Sequence, residues 1–153
     1  MHKLLRRTFS LLVVLLASTS SAQAPAAAKP ASPDDAVVAQ LKDAKWTAWT
    51  NPGAPAGLMV SSIAGDATTG PSLGYTKFPA GYAFPPHWHS FAESSVVISG
   101  TFHYVIDGKS YELGPGSVVV FPAKLVHSAT CSKAGPCILM IRRAGAADFN
   151  FAK

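Results

Sequence analysis

Three side chains in one short stretch of the sequence are of the types that bind divalent metal ions. His87 and His89 are separated by one residue, and Glu93 follows shortly after them. Residues two apart on a β-strand point to the same face of the sheet, so both imidazoles can be aimed at one point. Imidazole nitrogens and carboxylate oxygens suit first-row divalent metals. The spacing therefore predicts a metal site, which one further imidazole from elsewhere in the chain would complete.

The elements that must position these side chains are predicted to be short β-strands. From Trp46 onward, short β-prone runs alternate with turns rich in Gly and Pro. The predicted strands are 57–63, 73–78, 94–99, 101–106, 109–113, 117–121, 127–130 and 138–142. Asp107-Gly108 is a strong signal for a two-residue hairpin turn, because both positions need positive φ. Many short strands without a longer internal repeat are typical of a single all-β sandwich or barrel.

The stretch 81–100, GYAFPPHWHSFAESSVVISG, resembles the first motif of the cupin superfamily. That motif reads Gly, five residues, His-x-His, three or four residues, Glu, six residues, Gly. The matching residues are Gly81, His87, His89, Glu93 and Gly100. Agreement at each fixed position makes the resemblance specific.

A second cupin motif is partly matched further along the chain. It reads Gly, five residues, Pro-x-Gly, two residues, His, three residues, Asn, and the matching residues are Gly116, Pro122 and His127. Lys124 stands where the motif has its second Gly, and Cys131 stands where it has Asn. That Gly often adopts a backbone conformation that other residues resist, so the turn before His127 is where we expect a difference from the family.

The resemblance implies an all-β double-stranded β-helix, the cupin jelly-roll barrel, over residues 46–153. It also implies one divalent metal ion near one mouth of the barrel, bound by His87, His89, Glu93 and His127. Iron, manganese and zinc all suit this ligand set, and the sequence leaves the choice open. The alternative is a barrel in which these four side chains hydrogen-bond one another. We favour the metal, because converging polar groups would otherwise be poorly satisfied.

Three further residues are candidate substrate contacts. Phe91 lies between two predicted ligands, Tyr104 belongs to an aromatic lining, and Lys124 lies shortly before His127, where its ammonium group would attract an anion. The alternatives are ordinary core packing for the aromatic residues and a solvated loop position for the lysine. No catalytic residue is assigned, because Glu93 is needed as a ligand and no second carboxylate stands near the motif.

Alternation along the strand 101–106 separates its residues into two faces. The resemblance suggests that the face carrying Phe102 looks into the barrel. His103 is then predicted to lie on the outer face, without a role in the site.

Cys131 and Cys137 flank a short turn, 132–136. Two strands joined by so short a loop bring opposing Cα atoms to about 4.5–5.5 Å, a separation compatible with a disulfide. We predict this disulfide, because residues 1–24 have the pattern of a secretory leader and an exported protein meets an oxidising environment. Alternatively, Cys131 presents a free thiol near the site.

Residues 1–24 are predicted to be a secretory signal peptide. A charged start that includes Arg6 and Arg7 precedes an apolar run, 9–17, which is short for a bilayer span. Small residues then lead to an Ala-x-Ala cleavage site, so cleavage is expected after Ala24. The product would be periplasmic or extracellular. An uncleaved membrane anchor is the alternative, and the arginine pair leaves twin-arginine export open beside the general secretory route.

The charge balance argues against nucleic acid as a partner. The formal net charge is +5, and Lys3, Arg6 and Arg7 of the leader supply three of these charges, which leaves +2. No basic run remains in the rest of the chain, so the electrostatic footprint of a nucleic-acid-binding protein is missing. No membrane partner is expected once the leader is removed.

Between leader and barrel, residues 25–45 are predicted to form a tether and a short helix. The tether is rich in Pro and Ala, which is typical of a flexible linker. Ser32 suits a helix N-cap and Pro33 the first helical position. The apolar residues at helical spacing are Val37, Leu41 and Ala44.

Two classes of function remain open. The first is a metal-dependent enzyme acting on a small molecule, either a dioxygenase-like oxidoreductase or a Lewis-acid isomerase or lyase. The thin acid–base equipment near the motif favours redox or pure Lewis-acid chemistry. The second is a non-catalytic module that binds a small molecule or a metal for sensing or storage. Cupins include both classes, so the fold does not decide.

A homodimer is expected. Exposed sheet edges invite uncontrolled association, and small cupin barrels often pair through them. The segment carrying Trp46 and Trp49 is the candidate contact.

Overall fold

The computed structural model describes residues 36–51 and 54–152 of the chain. Antiparallel strands form almost all of its regular structure. The strands are β1 (Thr47–Ala48), β2 (Met59–Gly65), β3 (Ser72–Phe78), β4 (Ala83–Trp88), β5 (Glu93–Ser99), β6 (Phe102–Ile106), β7 (Lys109–Leu113), β8 (Val118–Phe121), β9 (His127–Cys131), β10 (Cys137–Arg143) and β11 (Asn150–Phe151).

The strands form two sheets whose strand orders interleave along the chain. One sheet has the order β1-β2-β3-β10-β5-β8, and the other has the order β11-β4-β9-β6-β7. Side chains from both sheets, including Phe121 and Val97 from the first and Phe102 from the second, share one buried core. Full burial of a side chain of this kind contributes about 1.5–3 kcal/mol. The predicted all-β double-stranded β-helix is therefore confirmed.

Strand β6 follows the predicted alternation. Phe102 and Tyr104 are buried in the core, whereas His103 and Val105 are exposed. His103 lies 3.5 Å from the carboxylate of Glu112 on the neighbouring strand β7, so its position on the outer face is confirmed. The Asp107-Gly108 turn also has the predicted backbone, with φ values of 48° and 73°.

Two short strands and the bounds of β4 were not predicted by sequence patterning. β1 and β11 have only two residues each, too few for a recognisable alternation. β4 contains Pro85 and Pro86, which lack the N–H group that a sheet ladder uses. Its pairing with β9 accordingly shifts register between Phe84 and His87. The strand ends at Trp88, so His89 begins the following loop.

The predicted N-terminal helix is reduced to a 3₁₀ turn, Leu41–Asp43, in the described part of the chain. Its predicted start at Ser32 and Pro33 lies outside the described residues, as do the leader and most of the tether. Val38 is 91% exposed and Val37 is also exposed. Short helices depend on packing of an apolar face, and that packing is missing here. No helix within the described residues is long and apolar enough to cross a membrane.

Candidate metal centre

Three of the four predicted metal ligands converge in the interior of the barrel. His87 on β4, His89 just after it and His127 at the start of β9 place one potential ligand atom each within 4.8 Å of the others. All three side chains are buried. β4 and β9 pair directly, with His87 opposite His127, which explains why residues so far apart in sequence meet.

Two of these rings are oriented by carbonyl groups two residues earlier in the chain. His87 Nδ1 lies 2.7 Å from the carbonyl oxygen of Pro85, and His127 Nδ1 lies 3.0 Å from that of Leu125. A carbonyl oxygen can only accept a hydrogen bond, so each Nδ1 carries the proton and donates it. The Nε2 lone pair of each neutral ring is then available to bind a metal.

The third ring is oriented from the end of the chain. His89 Nδ1 lies 2.6 Å from the carbonyl oxygen of Asp148, which accepts its hydrogen bond. The side-chain carboxylate of Asp148 accepts the backbone N–H of Ser90 at 2.9 and 3.2 Å. All three histidines therefore share one arrangement, with Nδ1 bound to a backbone carbonyl and Nε2 left as a donor atom for a metal.

Burial keeps two of the histidines neutral. Burial, aided by the charge of His127, lowers the pKa of His87 to about 3. Burial likewise lowers the pKa of His127. The neutral imidazole is the form that binds metal, so these two rings are in that form at physiological pH.

Glu93, the fourth predicted ligand, lies beside this group but is not one of the three converging side chains. It begins β5 and is buried, with Oε2 3.8 Å from His89 Nε2 and 3.0 Å from Arg143 Nε. Both atoms are buried, and neither has a hydrogen-bond partner. The short contact between Glu93 and Arg143 is therefore an ion pair without the alignment of a hydrogen bond. A buried carboxylate oxygen in this condition fits a nearby cation. Its role as a ligand stays a prediction.

The three histidines and Glu93 line a cavity of about 720 Å³. The remaining walls are largely apolar and include Phe84, Tyr104, Phe121, Leu139, Ile141 and Phe149. Phe121 stacks on the His127 ring, with centroids 3.8 Å apart. The volume and the apolar walls are typical of small-molecule sites.

Of the three candidate substrate contacts, one lines the cavity and two do not. Tyr104 lines the cavity, and burial raises the pKa of its phenol, which keeps the hydroxyl protonated. Phe91 and Lys124 are exposed and do not line this cavity. Phe91 is 47% exposed and lies so close to Gly145 that a Cβ there would overlap its ring.

Lys124 occupies the position of the family's second-motif glycine. Its φ is 67°, in the left-handed region that glycine adopts most easily. The turn therefore keeps a glycine-like backbone although the residue has changed. The Lys124 N–H donates to the carbonyl oxygen of His89 at 2.8 Å.

Sequence reasoning missed three residues around the site, namely Arg143, Asp148 and Phe149. The Phe149 ring centroid lies 5.6 Å from that of His87 and 5.0 Å from that of His89. A signal was present, because Phe149 and Phe151 alternate as strand residues do. The two-residue strand is too short for this alternation to have been decisive.

Cys131 and Cys137 face each other as predicted. They end β9 and begin β10, with Cα atoms 5.8 Å apart and the two sulfur atoms joined. Both side chains are fully buried. The arrangement is compatible with the predicted disulfide, and its formation in the exported protein stays a prediction.

The comparisons with known proteins agree with this architecture. The family model described as "Cupin domain" matches residues 74–141, which contain all four predicted ligands. The comparison with curated proteins finds no match.

Solved structures share the fold over most of the described chain. An RmlC-like cupin from Shewanella frigidimarina is 21% identical, with a TM-score of 0.57, and the match covers 72% of this chain and 91% of that one. The polyketide cyclase RemF from Streptomyces resistomycificus is 19% identical, with a TM-score of 0.63 and coverage of 76% and 84%. A Thermotoga maritima protein described as a predicted oxalate decarboxylase is 14% identical, with a TM-score of 0.60 and coverage of 71% and 98%.

At these identities, the structural likeness establishes the fold alone. Together with the family-model match, it shows that the chain belongs to the cupin superfamily. Within that superfamily, it has a group of three histidines that could hold a metal ion.

Proposed function

We propose that this chain is an exported cupin that holds one divalent metal ion and acts as a dioxygenase-like enzyme on a small molecule. One observation carries the proposal. Three imidazoles, each with Nδ1 bound to a carbonyl oxygen, aim their Nε2 atoms into an apolar cavity of about 720 Å³. Glu93 would supply the carboxylate ligand, and iron, manganese or zinc would suit the set.

A bound Fe(II) ion with open coordination positions would supply dioxygen chemistry, and Mn(II) or Zn(II) would supply Lewis-acid chemistry. The chain's own residues hold and enclose the substrate. The apolar walls exclude water from the reacting groups. The protonated Tyr104 hydroxyl can donate a hydrogen bond to a substrate oxygen.

The cavity has few side chains that could act as a general acid or base. Among the described residues that line it, the acidic ones are Glu93 and the exposed Asp66. Glu93 is committed to the metal and Arg143. This supports redox or pure Lewis-acid chemistry, as opposed to a mechanism that needs a separate carboxylate base.

The same observation favours a second candidate function, a non-catalytic module that binds a small molecule or a metal. A largely apolar cavity without a separate acid or base is also what a binding module needs. Turnover distinguishes the two candidates.

The test begins with elemental analysis of protein purified from its own compartment, because overexpression can load the wrong metal. About one ion per chain is expected, and oxygen uptake is then screened against dicarbonyl, phenolic and thiol compounds. Iron with substrate-dependent oxygen loss supports the enzyme, and tight ligand retention without turnover supports the module. The matched variants are His89→Ala, which should lose the metal, and the exposed His103→Ala, which should keep it. A wild-type protein without stoichiometric metal contradicts the metal-dependent enzyme and a metal-binding module, and leaves only a module that binds a small molecule.

Export and the disulfide are tested on the same sample. Mass spectrometry of the mature protein should give a chain that begins at Pro25. Thiol counting on unfolded, non-reduced protein should find no free thiol at Cys131 or Cys137, and two free thiols would contradict the disulfide. Closing so short a loop should stabilise the fold by about 2 kcal/mol.

We also propose a homodimer. The supporting observation is the edge strand β8, where Val118 and Val120 are 61% and 64% exposed. Trp49 instead packs within the domain, with its ring centroid 4.8 Å from that of Phe149. Light scattering after size exclusion should give twice the chain mass, and a Val118→Lys, Val120→Lys variant should give a monomer. A monomeric wild-type protein contradicts the proposal.

A further inference from the structure

His89 differs from the other two histidines in the origin of its hydrogen-bond partner. His87 and His127 use carbonyl groups two residues earlier in the chain. His89 uses the carbonyl of Asp148, 59 residues later. The orientation of this ring therefore depends on a segment that is distant in sequence.

We call residues 147–152 the C-terminal strap, because hydrogen bonds tie it to the barrel on both sides of Asp148. The Ala147 N–H donates to the Ala67 carbonyl at 2.7 Å, and the Ala152 N–H donates to that of Pro86 at 2.9 Å. Between them, β11 pairs with β4, with Asn150 opposite Trp88. The strap thus lies along β4, which carries His87 and whose last residue, Trp88, directly precedes His89.

The Asp148 side chain fixes the strap at the point where His89 needs it. Its carboxylate accepts the Ser90 N–H and the Asn150 side-chain amide, the latter at 3.0 Å. The carboxylate therefore joins the residue after His89 to the strap. Its loss would release the Asp148 carbonyl from its place above His89 Nδ1.

We propose that Asp148 is a positioning residue that holds His89 in the tautomer with Nδ1 protonated, so that the strap determines whether the third imidazole is available to a metal. This inference rests on the proposed metal function. A ring without a fixed acceptor at Nδ1 can carry its proton on Nε2, and that nitrogen then has no lone pair for a metal. His87 and His127 have their own local acceptors and do not need the strap.

The first test reads the tautomers directly in metal-free protein. Nitrogen-15 NMR of the imidazole rings should give the Nδ1-protonated form for all three histidines. In Asp148→Ala, His89 should shift toward the Nε2-protonated form, while His87 and His127 keep their signals. Asp148→Asn retains an oxygen for the Ser90 N–H but loses the acceptor of the Asn150 amide, so it should recover only part of the wild-type pattern. The control Glu112→Ala removes an exposed carboxylate far from the strap and should change none of the three.

The second test measures Co(II) affinity by calorimetry on the same variants. Asp148→Ala should bind about 10–100-fold more weakly than wild type, the usual cost of losing a group that orients a ligand, and the affinity of Asp148→Asn should lie between the two. A folded Asp148→Ala with unchanged His89 signals and unchanged affinity would overturn the inference. So would an equal change at all three histidines, because that indicates general loosening.

Two further results keep the test decisive. If Asp148→Ala does not fold, Asn150→Ala is the second variant. It removes the amide that donates to the Asp148 carboxylate and, at 3.5 Å, to the Trp88 carbonyl. It should shift His89 alone by a smaller amount, and no shift overturns the inference. If wild-type protein binds no Co(II), the proposed function fails, whereas the NMR result still decides whether the strap sets the His89 tautomer.

Discussion

The two halves of the candidate site draw their support from different distances along the chain. His87 and His127 face each other across the β4–β9 pair, and each is oriented by a carbonyl in its own strand or just before it. His89 and Glu93 depend instead on Asp148 and Arg143, near the end of the chain. In the first half the strands β4 and β9 are distant in sequence, but each ring is oriented by a carbonyl two residues away. In the second half the orientation itself depends on a segment from further along the chain. Substitutions at distant residues should therefore disturb the ligands of the second half, whereas removing a ligand or its packing should cost more in the first half.

The largest expected effect comes from removing a ligand in each half. His127→Ala should weaken Co(II) binding beyond the roughly 100-fold upper cost of losing an orienting group. Glu93→Gln should weaken it by a smaller factor, because three imidazoles remain. Calorimetric titration with Co(II) measures both. Unchanged affinity in Glu93→Gln would remove Glu93 from the ligand set and leave a site of three histidines.

Packing around the first half should also contribute more to the free energy of unfolding than packing around the second half. Phe121 is almost fully buried and stacks on His127, so Phe121→Ala should lower the free energy of unfolding by about 3–5 kcal/mol. Phe149 on the strap is only partly buried, and Phe149→Ala should cost about 1–3 kcal/mol. Urea unfolding of metal-free protein measures both values. A larger cost at Phe149 would mean that the strap is part of the folding core.

The Glu93–Arg143 contact tests whether the second half is held together by charge. Arg143→Met leaves a buried carboxylate without its cation and should lower the free energy of unfolding by about 3 kcal/mol. Added metal should stabilise this variant more than it stabilises wild type, because it supplies a cation beside Glu93. The control is Arg142→Met, at the exposed neighbouring position. Equal melting temperatures for the two variants would show that the contact contributes nothing.

The smallest expected effect is at Lys124, whose N–H supports the His89 loop. A left-handed backbone costs a residue other than glycine roughly 1–2 kcal/mol, and the greater freedom of glycine in the unfolded chain offsets about half of this. Lys124→Gly should therefore raise the free energy of unfolding by roughly 0.5 kcal/mol, with Co(II) affinity unchanged. Lower affinity would mean that Lys124 itself contributes to the site.

The same division explains what could be predicted from the sequence. The alternation of Phe102 and Tyr104 and the Asp107-Gly108 turn follow from local patterns. The convergence of His87 with His127 is what the resemblance to the cupin motifs implies. Asp148 and Arg143 have no such signal, because an acidic or basic residue near a chain end looks like an ordinary solvated position. Their roles arise from long-range docking.

The N-terminal helix illustrates the opposite error. Its apolar residues have helical spacing, but Val37 of that face is 40% exposed and only a 3₁₀ turn is present in the described residues. The spacing of apolar residues shows which face of an element could be buried. Whether that face is buried depends on the surfaces that the rest of the fold provides.

The position of the strap in the sequence has a consequence for the order of assembly. Residues 147–152 are the last part of the barrel to leave the ribosome. Until they emerge, His89 lacks its carbonyl partner. A nascent chain therefore presents at most two oriented imidazoles, and cations met during synthesis should be held weakly and exchange freely. The proposed metal would then be selected in whichever compartment the chain occupies when β11 docks on β4.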